Sequence, residues 1–138
     1  MKTARISKKK RIEIRDRFDG LCAYSGTPLE DDWQVDHVKP LVRNWFDGTS
    51  MFPEAHCDEN FFPCQKIINH YKGSLDLELF RDLFLGGLHL RMNKPKNPRS
   101  EKSKRKKEYL NKVASYFGIT PTKPFSGIFY FETLEKKH

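Results

Sequence analysis

A group of polar residues in the middle of the chain has the types and the spacing that phosphodiester hydrolysis requires. Asp36 and His37 are adjacent, and Asn60 and Asn69 follow, nine positions apart. A carboxylate and an amide oxygen suit a hard divalent cation. An imidazole with a pKa near ~6.5 can take a proton from water at neutral pH, and a second amide can fix its orientation. The sequence therefore predicts a site that activates water beside a bound metal ion.

The neighbours Asp36 and His37 point in opposite directions if they lie on a regular strand. Successive side chains of an extended chain alternate between the two faces of the sheet. We expect the two residues to share a site either through a twist of the backbone or because the metal and the phosphate lie at the edge of the strand.

Short helices and strands are predicted on both sides of these residues. Helices bring every third or fourth residue to one face and strands every second, so the apolar spacing indicates which element forms. Asp19-Gly20 and Gly118 are expected to end helices, and Ser74 to cap one. The predicted helices span 7–18, 64–72, 75–85 and 100–117, and the predicted strands span 34–38, 60–62 and 125–134.

The charge of the chain indicates a polyanionic partner. Its 138 residues carry 26 Lys and Arg against 18 Asp and Glu, for a net charge of +8 and a pI near 9.4. Much of the positive charge lies in residues 1–17 and 91–107. Basic surfaces bind nucleic acids through phosphates, and solvated basic tails are the alternative. The candidate phosphate contacts are Arg43, Lys104, Arg105, Lys106 and Lys107.

The cysteines and the apolar content exclude several classes of protein. Three cysteines are an odd and sparse set, which is not a disulfide framework. The first ten residues contain five basic side chains and no apolar core, unlike a secretory signal. No apolar run approaches the ~18 residues of a membrane span. The prediction is a cytoplasmic protein with reduced thiols and no membrane partner.

Three segments between Leu21 and Phe84 together resemble the HNH nucleases of the ββα-metal fold. LCAYSGTPL is similar to the first turn of that family, and VDHVKPL to the segment that pairs an acid with a histidine. ENFFPCQKIINHYKG is similar to the third motif, including the nine-residue step between its two asparagines. The resemblance covers somewhat under half of the chain. Its specificity lies in the combination and order of the motifs.

The resemblance implies a role for each candidate residue. His37 would be the general base, and Asn60 would hold its imidazole in place. Asp36 and Asn69 would bind one Mg²⁺ or Mn²⁺ ion, and Lys72 would meet a backbone phosphate. The expected activity is hydrolysis of double-stranded DNA by a one-metal mechanism.

The charge pattern, the apolar spacing and the resemblance together predict how the chain is organised. A basic N-terminal helix would occupy residues 1–20, and the nuclease core residues 21–90. Residues 91–138 would form a basic linker, an amphipathic helix and a final strand packed on that core. The predicted fold class is α+β: a small HNH-type ββα-metal core, added helices at both ends and a C-terminal strand.

One departure from the family concerns structural zinc. Many members hold the fold together with four cysteines that bind a zinc ion. At those four positions this chain has Cys22, Ser25, Gln65 and Ile68. An alternative set of ligands would be Cys22, His56, Cys57 and Cys64, but its spacing matches no standard zinc motif. We therefore expect no structural zinc, with apolar packing in its place.

Two further functions fit the same residues. A non-catalytic nucleic-acid-binding module would use the basic segments alone, and an RNase would use the same site on RNA. Cleavage that survives EDTA would favour the RNase, because the 2′-hydroxyl of RNA permits metal-free chemistry. The sequence leaves open nicking or double-strand cleavage, monomer or dimer, the target sequence, and a role in restriction, homing or phage packaging.

Overall fold

The chain divides into two units in a computed structural model that describes residues 6–37, 60–92, 94 and 96–135. Unit 1 spans Met1–Leu77 and unit 2 spans Glu78–His138. Helices and strands both occur in the described parts of the chain, which confirms a mixed α and β architecture. The elements of unit 1 are α1 (Lys8–Arg17), β1 (Gln34–His37), β2 (Phe61–Cys64) and α2 (Lys66–Lys72).

Helix α1 begins and ends at residues with clear local signals. The Ser7 hydroxyl accepts a hydrogen bond of 3.1 Å from the backbone N–H of Lys10, which satisfies a free donor at the helix start. Asp19 and Gly20 follow the helix with positive φ angles of 54° and 76°, a conformation that does not continue a right-handed helix. The predicted helix over 7–18 and its stop are confirmed. Ile14 anchors it in the core.

Strands β1 and β2 form a two-stranded antiparallel sheet, in which Asp36 lies opposite Phe62 and His37 opposite Phe61. Both strands were predicted, but β2 continues through Pro63 to Cys64. A two-stranded sheet leaves one side of each strand without a ladder partner, so it tolerates a residue that lacks an N–H donor. Because the strand takes residue 64, helix α2 begins at Lys66 and not at 64 as predicted.

The segment over residues 21–29 folds back on itself as the predicted turn and packs beside the sheet. Leu21 and Pro28 form an isolated antiparallel bridge, and the backbone N–H of Cys22 donates to the carbonyl of Thr27 at 2.8 Å. The backbone N–H of Ala23 donates to the carbonyl of Pro63 at 2.9 Å. This bond ties the turn to strand β2.

The regular elements described in unit 2 are all helical. Helix α3 (Leu77–Leu79) crosses the division and continues as a π-helical segment (Phe80–Leu85), after which come α4 (Leu88–Arg91), α5 (Glu101–Phe117) and α6 (Tyr130–Glu135). Ser100 caps α5, accepting a bond of 3.1 Å from Ser103 N, and Gly118 ends it with a φ of 70°. The predicted helix over 100–117 is confirmed. The buried apolar residues include Phe80, Leu85, Leu88, Leu110, Val113, Ala114 and Phe129.

The prediction of a C-terminal strand over 125–134 is wrong, because Tyr130–Glu135 is helix α6. A run of neighbouring aromatic residues fits a strand or a buried helical segment equally well, so its spacing does not decide between them. Hydrogen bonds decide it here. The Glu132 carboxylate accepts from the backbone N–H of Phe129 at 2.9 Å, which satisfies a donor at the helix start. Arg81 holds the same carboxylate through Nη2 at 2.9 Å.

The helix predicted over 75–85 also differs from expectation. It begins at Leu77, so Ser74 does not cap it, and from Phe80 onward it is a π-helix. A π-helix closes each hydrogen-bonded turn over one more residue than an α-helix. This changes which side chains share a face: Phe80 is buried and Leu83 is 60% exposed. Among the residues described, no helix has both the length and the apolar character needed to cross a membrane.

Candidate functional site

Helix α2 brings two of its residues against strand β1, across more than thirty residues of sequence. The Asn69 amide nitrogen Nδ2 donates to Gln34 Oε1 at 2.7 Å. One helical turn further, Lys72 Nζ lies 3.3 Å from Asp36 Oδ2. Residues 34 and 36 share one face of the strand, and residues 69 and 72 share one face of the helix. The predicted residues Asp36, Asn69 and Lys72 therefore lie together.

The carboxylate of Asp36 is at the centre of this cluster and is only 5% exposed. Its Oδ2 atom accepts a hydrogen bond from the Tyr24 hydroxyl and also faces the Lys72 ammonium. Burial raises the pKa of Asp36, because a charged carboxylate loses its water, and the Lys72 charge and the Tyr24 hydroxyl offset part of that rise. These two partners thus favour the ionised carboxylate that burial alone would disfavour.

Tyr24 is a member of the site that sequence reasoning missed. It belongs to the turn over residues 21–29 and is 1% exposed, with its ring 6.0 Å from that of Phe62. Burial raises its pKa well above the usual value, and the nearby charge of Asp36 raises it further. The hydroxyl therefore stays protonated and acts as a donor. The signal available in the sequence was a large aromatic residue inside a short turn. The turn itself does not require such a residue, so its ring is expected to pack in the core.

Lys72 does not lie where a contact with DNA phosphate was expected. Its side chain is fully buried, and Nζ also donates to the backbone carbonyl of His37 at 3.3 Å. A buried carboxylate needs a nearby cation, and Lys72 supplies it to Asp36. In this conformation the ammonium acts inside unit 1 and not at its surface.

His37 lies on the opposite face of β1 from Asp36, as the alternation of side chains along a strand requires. Its ring meets the ring of Phe61 edge to face, with centroids 5.3 Å apart. Asn60 immediately precedes Phe61, the cross-strand partner of His37. The structure therefore places Asn60 and His37 at the same end of the sheet. Arg43 lies outside the described residues, as do His56 and Cys57.

The oxygens near Asp36 that could hold a divalent cation belong to one carboxylate and one amide. Asp36 contributes a carboxylate, and the Asn69 bond to Gln34 uses the amide nitrogen, not the oxygen that would bind a metal. Within the described ranges, no group of three or more His, Cys, Asp or Glu forms an all-protein metal cage. Mg²⁺ commonly uses one or two protein oxygens and keeps several waters, so a site with one Asp and one Asn suits it.

Where many HNH nucleases have four zinc-binding cysteines, this chain connects the same segments through hydrogen bonds of Gln65. The buried Gln65 side chain accepts from the backbone N–H of Glu30 at 3.1 Å. Its amide nitrogen donates to Thr27 Oγ1 at 3.2 Å and to the Pro28 carbonyl at 2.7 Å. These bonds fasten the turn to the start of α2. The expectation of apolar packing is therefore wrong in part, because a polar side chain makes this connection.

Cys22 and Cys64 meet in the same region, and both are fully buried. Burial alone would raise the pKa of Cys22, but hydrogen bonds from the Cys64 thiol and from Ser25 outweigh it and lower the pKa to about 6. Burial raises the pKa of Cys64, and its hydrogen bond to Cys22 raises it further. The hydrogen bond between the two thiols thus lowers the pKa of Cys22 and raises that of Cys64.

The candidate phosphate contacts on helix α5 are mostly accessible. Lys104, Arg105 and Lys106 are exposed in the first turns of the helix. Lys107 is half-buried, and its Nζ donates to the backbone carbonyl of Lys96 at 2.7 Å. Three of the four predicted side chains thus face solvent, and the fourth anchors the segment before the helix.

Taken together, unit 1 offers a buried carboxylate with its own cation, an amide on the facing helix and a histidine at the same end of the sheet. Asp36, Asn69 and Lys72 thus lie together, whereas His37 lies on the opposite face of the strand. Comparison of the chain with protein-family models, with curated proteins and with solved structures gave no match.

Proposed function

We propose that this protein is a metal-dependent endonuclease that hydrolyses phosphodiester bonds of DNA. The observation that carries the proposal is the meeting of Asp36 with helix α2, where Asn69 and Lys72 lie against the strand that also bears His37. The order β1, β2, α2 supports it, because that is the order of elements implied by the resemblance to the HNH nucleases.

In this proposal Asp36 and Asn69 hold one Mg²⁺ or Mn²⁺ ion. When bound, the ion supplies charge stabilisation at the phosphate and at the departing 3′ oxygen. An imidazole nitrogen of His37 takes a proton from the water that attacks phosphorus in line with the departing oxygen. Asn60 orients that imidazole. Lys72 favours the ionised form of the Asp36 carboxylate, since the two lie 3.3 Å apart.

The basic surface supplies the affinity for DNA. The net charge is +8, and Lys104, Arg105 and Lys106 are exposed on α5. Contacts of this kind are made with phosphates, so binding weakens steeply as salt rises and carries little sequence information.

The test is cleavage of supercoiled plasmid in Mg²⁺ or Mn²⁺, with EDTA and the His37→Ala variant in parallel. Loss of a general base is expected to slow cleavage by about 10²–10⁴-fold, while retention of the plasmid on the protein stays unchanged. His70→Ala is the matched control, because His70 is an exposed histidine on α2 and has no assigned role. Full activity in His37→Ala would remove the proposed base.

A second candidate function is a nucleic-acid-binding module without catalysis. The observation that favours it is the ion pair itself, since the Lys72 ammonium already neutralises Asp36. Salt-sensitive plasmid retention with no cleavage in either metal ion would select this function. Cleavage of RNA that persists in EDTA would instead indicate an RNase.

A further inference from the structure

The carboxylate of Asp36 is held by two donors that reach the same oxygen atom. The Tyr24 hydroxyl comes from the turn over residues 21–29, and the Lys72 ammonium comes from helix α2. Both contact Oδ2. All three side chains are almost fully removed from solvent. Two donors on one oxygen restrict rotation of the carboxylate.

The segment that carries Tyr24 is fixed by bonds at two points along its length. Its neighbour Ala23 donates from the backbone to Pro63 at 2.9 Å, which links the turn to β2. Gln65 links the far side of the turn to α2, with a bond of 2.7 Å to the Pro28 carbonyl. The hydroxyl thus approaches Asp36 from a segment fastened to two other elements and not from a loose loop.

We infer that Tyr24 is a positioning residue for metal binding: through its hydrogen bond to Oδ2 it would fix the orientation in which the Asp36 carboxylate holds the cation. The inference rests on the proposed function, which it deepens by assigning a role to a residue of the first turn. Tyr24 itself touches neither metal nor substrate. Partners that orient a metal ligand in this way typically change metal affinity by about 10–100-fold when they are removed.

A purely structural role makes a different prediction. If the hydroxyl only satisfied a buried carboxylate, its loss would lower the stability of the protein and leave the affinity of the folded protein for metal unchanged. Metal affinity and thermal stability must therefore be measured on the same variant.

The decisive variant is Tyr24→Phe, which removes one oxygen and keeps the ring that contacts Phe62. Binding of Mn²⁺ to the full chain is followed by the electron paramagnetic resonance signal of the free ion, and folding by circular dichroism. Tyr109→Phe is the matched control, since it removes a tyrosine hydroxyl from helix α5 of unit 2. If Tyr24→Phe is too unstable to fold, the titrations are repeated in trimethylamine N-oxide, which stabilises folded states.

The expected result is an Mn²⁺ dissociation constant about 10–100-fold weaker in Tyr24→Phe than in the wild type, with Tyr109→Phe unchanged. An Mn²⁺ affinity of folded Tyr24→Phe equal to that of the wild type would overturn the positioning role while leaving the nuclease proposal intact. Failure of the wild type to bind Mn²⁺ at all would instead remove the metal site on which both proposals depend.

Discussion

Unit 1 and unit 2 bury different kinds of side chain. At the centre of unit 1 lie a carboxylate, an ammonium and a tyrosine hydroxyl, contributed by Asp36, Lys72 and Tyr24. Phe129 is a central buried side chain of unit 2, and its ring has centroid distances of 5.3 Å to Phe125 and 5.8 Å to Phe80. Among the described residues, the core of unit 1 therefore includes charged groups, whereas the buried side chains of unit 2 are apolar.

The difference matters because burial of charge is a poor way to stabilise a small domain. Removing two ions from water costs about as much as their attraction returns, and a well-packed apolar replacement is often as stable. Ring burial and ring contacts, by contrast, stabilise directly. The buried ion pair of unit 1 is therefore better explained by function than by stability, and unit 2 supplies the comparison that tests this.

The largest effect is expected from breaking the ion pair of unit 1. Lys72→Met keeps most of the volume and leaves the Asp36 carboxylate buried without its cation, which should destabilise the protein by about 3–5 kcal/mol. The control is Lys104→Met in unit 2. Lys104 pairs with Glu101 at 3.5 Å, but the two side chains are 49% and 77% exposed, so a change of at most about 0.5 kcal/mol is expected.

Urea denaturation followed by circular dichroism gives both free energies of unfolding. Equal, small effects of Lys72→Met and Lys104→Met would contradict the contrast between the units, because they would mean that the carboxylate of Asp36 is protonated or hydrated without Lys72. Adding Asp36→Asn to Lys72→Met should recover part of the lost stability, since it removes the uncompensated charge.

A smaller effect is expected from a substitution in the aromatic cluster of unit 2, which includes Phe80, Phe125 and Phe129. Phe129→Leu keeps an apolar side chain and loses the ring contacts, which should lower the free energy of unfolding by about 1–2 kcal/mol. Ile128→Leu is the control, because Ile128 is 47% exposed and a swap of similar volume there should have almost no effect. An unchanged urea midpoint for Phe129→Leu would show that the rings contribute no more than any apolar filling.

The contrast between the units also explains what could be predicted from the sequence. Helices α1 and α5 were predicted because their signals are local: apolar residues recur at helical spacing, and Asp19-Gly20 and Gly118 follow the helix ends. The residues Asp36, Asn69 and Lys72 were predicted as a group from motif order, and the structure brings them together.

What was missed depends on contacts between distant parts of the chain. Lys72 is buried because Asp36, which lies 36 positions earlier in the sequence, needs a nearby cation. No local sequence pattern indicates this contact. Helix α6 was predicted as a strand because its N-terminal bonds involve Arg81, which lies about fifty residues before Glu132. Tyr24 was missed for the same reason, because its hydroxyl acts on Asp36 and not within its own turn.

The last prediction concerns pH and the thiol pair of unit 1. The folded protein lowers the pKa of Cys22 from its ordinary value of 9.0 to about 6, chiefly through the hydrogen bond from Cys64 acting against burial. A group whose pKa is lower in the folded state adds stability that is complete above its unfolded pKa and is lost as the pH falls through its folded pKa. Relative to Cys22→Ser, the reduced wild type should therefore become less stable as the pH falls from 9 to 6.

Urea midpoints of the reduced wild type and of Cys22→Ser at pH 9 and pH 6, the two limits of that window, provide the measurement. Other titrating groups are common to both proteins, so the difference between the midpoints isolates Cys22. A difference that stays constant across the window would mean that Cys22 remains a neutral thiol. A third ionised group, the Cys22 thiolate, would then be absent from the core of unit 1, and the contrast in buried charge between the units would rest on Asp36 and Lys72 alone.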